Sequence, residues 1–158
     1  MDLKYVDIFY LNWPFSDMTK DGKEWLHRPL KEFWEDMESC VKRGYAKNLG
    51  IANFNGQLLN EILSIANIKP VALQIECHPY LNQDGLIGLA KKRGIQVLAH
   101  TALGRGLELE DEQCVIKEDI INDIANKHGK TPAQIVLKSS LHKGVGVIAR
   151  TSKVERLK

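Results

Sequence analysis

Polar side chains follow apolar runs at five places in this 158-residue sequence. Asn12 comes after YVDIFYL and Asn53 after KNLGIA. Glu76 and His78 come after PVALQI, His100 and Thr101 after IQVLA, and Arg150 and Thr151 after VGVIA. The first of these, in FYLNWPFSD (9–17), sits where a proton-transferring side chain would make chemical sense. An amide there can donate a hydrogen bond to a carbonyl oxygen, but it does not relay a proton at neutral pH. Glu76 and His78 read as structural rather than catalytic. No carboxylates or cysteines stand at metal-ligand spacing, so no metal site is expected.

The elements that must position these residues alternate along the chain. Tyr5 to Leu11 is rich in aromatic and β-branched residues and predicts a strand. Pro29 to Arg43 predicts a helix, because Leu30, Phe33, Trp34, Met37 and Val41 recur at three and four residues, and Gly44 ends it. Lys47 to Ala52 is a second strand, followed by a helix capped by Asn55 with Leu58, Leu59, Ile62, Leu63 and Ile65 on its apolar face. Pro70 to Ile75, then Gly85 to Arg93, then Ile95 to Ala99 give strand, helix, strand. Gly104 to Lys117 reads as an acidic, irregular loop. Helices are predicted at Glu118 to His128 and Pro132 to His142, the latter capped by Thr131 with proline at its first position. A fifth strand is predicted at Val145 to Ala149.

Strands that are nearly all apolar, alternating with amphipathic helices, are the pattern of a parallel sheet covered on both faces. An open doubly wound sheet and part of a (β/α)₈ barrel both fit. No GxGxxG follows the first strand, against the dinucleotide-binding form of the open sheet. The polar strand ends favour a barrel, in which such ends meet at one face and build the active site.

Composition sets wide bounds. Hydrophobic residues make up 44% and charged residues 27%, enough for one packed domain over residues 1–158. A net charge of +2 gives no reason to expect nucleic acid or a membrane surface as partner. No apolar run is long enough to span a bilayer, and no signal peptide is expected. Cys40, Cys77 and Cys114 are scattered and odd in number, which fits a reducing compartment such as the cytoplasm. Their equal spacing falls on a helix, a strand and a loop and reads as accident.

Five segments together resemble the aldo-keto reductase family: FYLNWP, KNLGIANF, VALQIECHPYL, HGKTPAQIVLK and VIARTSKVERL. They occur in family order over essentially the whole chain. The first resembles a segment that usually ends His-Trp-Pro, and the second one that usually reads like GVSNF. The last resembles the phosphate-binding signature, with Ala149-Arg150-Thr151 in place of Pro-Lys-Ser. The resemblance implies a (β/α)₈ barrel and hydride transfer from NADPH to a small carbonyl substrate. It places Asn12 at the position of the family histidine that orients the carbonyl, and Trp13 on the wall of the substrate pocket. Asn53 and Gln74 match positions that hold the nicotinamide carboxamide, and His100 the position of a tyrosine stacked on its ring. Thr101 and Leu103 fall in the same cofactor-binding segment. Arg150, Thr151 and Arg156 match the group that grips the adenosine 2′-phosphate, where bidentate arginine contacts suit NADPH. The chain departs from the pattern at Asn12, at Ala52 where serine is usual, at His100, and at Ala102 where proline is usual.

The resemblance runs from strand four to strand eight of a barrel that needs ~250 residues. The family's catalytic Asp, Tyr and Lys lie in the earlier strands and have no counterpart here, and Tyr5 and Tyr10 lie in the wrong segment to replace them. Five strands cannot close a barrel, so the fold is expected to be incomplete. A missing N-terminal segment or another chain is expected to complete it. Two functions follow. One is a reductase domain completed by the missing half. The other is an inactive, reductase-derived structural subunit of a larger complex.

Overall fold

The computed structural model describes residues 3–13, 28–104 and 114–157. The described chain is α/β, with five strands and five α-helices in the order of an incomplete (β/α)₈ barrel. All its described strand pairings are parallel. Two compact units divide it: Met1–Gln74 with Gly85–Gln96, and Ile75–Asp84 with Val97–Lys158.

In the first unit, β1 (Val6–Asn12), β2 (Ala46–Ala52) and the start of β3 (Ala72–Glu76) lie side by side. Ala46 pairs with Val6 and Ala52 with Asn12, while Gly50 pairs with Ala72 and Ala52 with Gln74. β2 is the middle strand, and Leu49, Ile51 and Ala52 are buried on it. β1 pairs with β2 on one side only among the described residues, and Tyr5, Ile8 and Phe9 are exposed beside that edge. The apolar first strand is therefore open, as the sequence pattern implies for a strand that lacks a neighbour.

Helix α1 (Leu30–Lys42) covers this sheet with Leu30, Trp34 and Met37. Pro29 and Arg43 turn out to be its flanking cap residues, and Gly44 at φ 78° ends it in the left-handed conformation. The Trp34 indole N–H donates to the Ile68 carbonyl at 3.0 Å. α2 (Gly56–Ile65) starts as expected, with the Asn55 side-chain oxygen accepting the Leu58 N–H at 2.9 Å. α3 (Asp84–Lys92) starts one residue earlier than its pattern predicted, because Asp84 adds favourable negative charge to the first turn.

One buried charge ties α1 to the sheet. Glu38 is 2% exposed, four residues after Trp34 and three before Val41, so it lies on the apolar stripe. Its Oε1 accepts the Asn67 and Ile68 N–H groups at 2.7 and 2.9 Å, and its Oε2 accepts from Asn67 Nδ2 at 3.3 Å. Burial opposes the charge. The hydrogen bonds from Ile68 and Asn67 outweigh it, and the carboxyl titrates below its ordinary value.

The second unit holds β4 (Gln96–His100) from Val97 onward, α4 (Asp119–His128), α5 (Pro132–His142) and β5 (Gly146–Val147). Leu98 pairs with Gly146 and Ala99 with Val147. The predicted strand Val145 to Ala149 shrinks to two residues: the Ile148 N–H still reaches the Ala99 carbonyl at 2.9 Å, but Ile148 and Ala149 are exposed. Thr131 makes a full capping box with Gln134, and Pro132 follows it. The predicted loop Gly104 to Lys117 closes in a 3₁₀ turn at Val115–Lys117 with Cys114 and Val115 buried, and residues 105–113 lie outside the described residues. The buried apolar side chains here include Ile75, Val97, Ala99, Val136 and Val145.

Two changes test this packing. Glu38→Ala leaves two buried N–H groups without their acceptor and is expected to cost about 2–3 kcal/mol in urea unfolding. Because the folded carboxyl titrates below its unfolded value, the wild-type advantage over Glu38→Ala is present above the ordinary carboxyl range. It is lost as pH falls through the lower folded value. Gly50→Ala places a Cβ 2.5 Å from the Tyr10 ring, and is expected to destabilise by about 1–3 kcal/mol.

Candidate functional site

The first unit brings together three side-chain amides: Asn12 and Asn53 at the carboxyl ends of β1 and β2, and Gln74 in the middle of β3. Asn12, Ala52 and Gln74 occupy one row of the pairing, so their side chains leave the same face of the sheet. Asn53 follows Ala52 at φ 64°, in the left-handed region, and its N–H donates to the Gln74 carbonyl at 2.9 Å. The Asn53 Nδ2 donates to the Asn12 Oδ1 at 2.8 Å. Asn12 is exposed, and Asn53 and Gln74 are half-buried. Asn12 is the last residue of β1, and the turn itself begins at Trp13.

Trp13 is also left-handed, at φ 67°, and its N–H donates to the Ala52 carbonyl at 3.0 Å. Its side chain is 53% exposed. Non-glycine residues pay a conformational cost at such angles, and that cost persists only where surrounding contacts impose it. Here the contacts are the strand-end hydrogen bonds that carry each chain out of the sheet.

The second unit holds the rest of the predicted positions. His100 ends β4, and its Nδ1 lies 2.9 Å from the Thr101 hydroxyl. Thr101 is left-handed at φ 51°, and its carbonyl accepts the Gly104 N–H at 2.8 Å, folding Leu103 into the turn between them. Arg150 is exposed after β5. The Thr151 hydroxyl accepts the Lys153 N–H at 3.1 Å, and Arg156 is exposed in the 3₁₀ turn Val154–Leu157 that follows.

The loop after β3 is built around Glu76 and His78. His78 Nε2 lies 3.1 Å from Glu76 Oε1, and His78 and Leu81 exchange backbone hydrogen bonds at 3.2 and 2.8 Å. Tyr80 donates to Glu118, and Lys143 donates to Asp84 at 3.0 Å and to Asn82. Burial pushes the Cys77 thiol up, so it behaves as a core sulfur rather than a nucleophile. Burial also raises the Tyr10 phenol, away from the range of a proton donor at neutral pH.

In the first unit the amides of Asn12, Asn53 and Gln74 offer both donors and acceptors, and in the second unit Arg150 and Arg156 are exposed cations. The aldo/keto reductase family model matches residues 1–158. The chain belongs to the aldo/keto reductase family. It is 39% identical to an NAD(P)H-dependent D-xylose reductase of Kluyveromyces lactis, an alignment covering 99% of this chain and 56% of that protein. A probable NAD(P)H-dependent D-xylose reductase of Emericella nidulans is 40% identical over 99% of this chain and 51% of its own length. An NADH-dependent D-xylose reductase of Candida parapsilosis is 34% identical over 99% and 55%. The chain spans about half the length of the relatives it matches.

Sequence reading missed three features of this family member. The Asn12–Asn53 bond has no sequence signal, because it joins residues 41 apart. The left-handed Trp13 and Thr101 have none either, since neither type favours that region. Glu38 did have a signal: a carboxylate on an apolar helix stripe requires a partner. Trp13→Asn places a residue enriched at left-handed angles where about half of the tryptophan is buried, so the backbone gain is set against lost ring contact. The two effects oppose each other, and stability is expected to change by no more than about 1 kcal/mol, read as the thermal midpoint.

Proposed function

We propose that this chain forms the nicotinamide-dinucleotide-binding part of an aldo/keto reductase acting on a small carbonyl compound. The observation that carries this reading is the group of amides in the first unit: Asn12 and Gln74, level across Ala52, and Asn53, which follows Ala52 and bonds to Asn12. A carboxamide ligand needs a donor and an acceptor together, and each of these side chains offers both. The donor set therefore fits a nicotinamide carboxamide, with Asn53 and Gln74 holding it. Ala52 lacks the hydroxyl that a serine would add to this row.

When bound, the dinucleotide supplies a hydride. The chain's own part is to hold and orient. Asn12 has amide hydrogens to offer a carbonyl oxygen, and Trp13 presents an exposed ring for a pocket wall. His100 presents a planar ring at the end of β4. The proton donor, on this reading, comes from the barrel units beyond these five strands, in a longer chain or a second one. Arg150 and Arg156, both exposed, with the Thr151 hydroxyl, favour NADPH over NADH through a 2′-phosphate.

Ala52 and the amide at position 12 favour a second reading, an inactive reductase-derived subunit of a larger complex. One titration separates the two. The dinucleotide reading expects saturable binding of NADPH, followed by quenching of protein fluorescence, with NADH weaker by roughly tenfold and Arg150→Ala erasing most of that difference. Absence of saturable binding by the natively isolated protein would overturn it and leave the scaffold reading. Ala52→Ser adds a donor to the amide row and is expected to tighten NADPH binding by roughly three- to tenfold, the worth of one hydrogen bond of about 0.5–1.5 kcal/mol.

A further inference from the structure

One pleat below the row of Asn12, Ala52 and Gln74 lies a second row on the same face of the sheet: Tyr10, Gly50 and Ala72. Gly50 has no side chain and Ala72 only a methyl, so this row is hollow beside its one large residue. The Tyr10 ring lies over the hollow. A Cβ built on Gly50 would stand 2.5 Å from its Cε1, 2.6 Å from its Cδ1 and 2.9 Å from its Cζ. The ring therefore reaches from β1 over β2, and the hydroxyl on Cζ goes with it. Covering Gly50 takes only a ring, and a phenylalanine would do it. A phenol drawn partly out of water normally finds a hydrogen-bond partner. Tyr10 is half-buried, and among the described residues its hydroxyl makes no hydrogen bond. Burial raises its pKa, so it keeps its proton at neutral pH and offers it as a hydrogen bond rather than as an acid.

We propose that Tyr10 is a ligand-contacting residue: its ring is the floor beneath the amides, and its hydroxyl donates a hydrogen bond to the nicotinamide end of the dinucleotide. This rests on the dinucleotide-binding reading above. Sites for such ligands combine apolar walls with a few converging polar groups. Here the Tyr10 ring and the buried Ala52 and Ala72 supply apolar surface, and the amides and the phenol supply the polar groups. Neighbouring rows on one face of a strand are about 6.6 Å apart, a step that a ring of nicotinamide's size bridges. A ligand held by Gln74 in the upper row thus comes down onto Tyr10 in the lower one.

The test is an NADPH titration of the natively isolated protein and of Tyr10→Phe, each checked for native circular dichroism. Phenylalanine keeps the ring over Gly50 and removes only the hydroxyl, so the fold is expected to survive. Tyr10→Phe is expected to weaken NADPH binding roughly three- to tenfold, the worth of one hydrogen bond. A second measurement needs no change of sequence during binding. Protein carrying ¹³C at the tyrosine Cζ gives a Tyr10 resonance, identified by its loss in Tyr10→Phe. In the wild type that resonance is expected to shift as NADPH saturates, while those of Tyr45 and Tyr80 stay in place. If NADPH saturates the wild type but Tyr10→Phe binds it within about twofold as tightly, or the Tyr10 resonance does not move, the contact is overturned while the dinucleotide reading stands. If the wild type shows no saturable binding, both fall together.

Discussion

Along β2, Ala52 is paired with Asn12 on one side and with Gln74 on the other. That single row of parallel pairing levels Asn12, Ala52 and Gln74 and puts their side chains on one face. Slip any strand by one residue and its polar end points to the opposite face, because side chains alternate at every step. The register is held from within the sheet by Leu49 and Ile51, both fully buried on β2, and by the close seat of the Tyr10 ring over Gly50. It is held from outside by α1, where Trp34 and Glu38 fasten the segment that leads into β3.

Strain gathers where strands end. Trp13, Asn53 and Thr101 are all left-handed, and each follows directly on a strand. A strand that stops in mid-sheet must turn its chain away while keeping its last hydrogen bond, and the left-handed region does this in one residue. Trp13 and Asn53 show it: each keeps an N–H bond to the neighbouring strand, to Ala52 and Gln74 respectively. Glycine would adopt these angles freely. Residues with side chains stand there instead.

The open side of β1 has a matching meaning. Its apolar residues are exposed on a strand paired at one edge, and the chain spans about half of its relatives' length. An edge of this kind is a template for a further strand.

The sequence by itself determined the elements and their order. Leu30, Trp34 and Met37 at helical spacing, the Asn55 and Thr131 caps, and the glycine at 44 marked starts and stops that the structure follows to within a few residues. It also marked the polar strand ends, because a break in an apolar run is visible one residue at a time. Tertiary structure alone decided which of those ends meet. Asn12 and Asn53 lie 41 residues apart, and their 2.8 Å bond exists only because the pairing of β1 with β2 brings their ends level. The length of β5 was likewise settled outside its own residues: VGVIA carries an apolar run of five, yet the strand lasts only as far as its partner β4 continues to pair with it. Local pattern records what a residue prefers, while a hydrogen bond between distant residues depends on the register of everything between them.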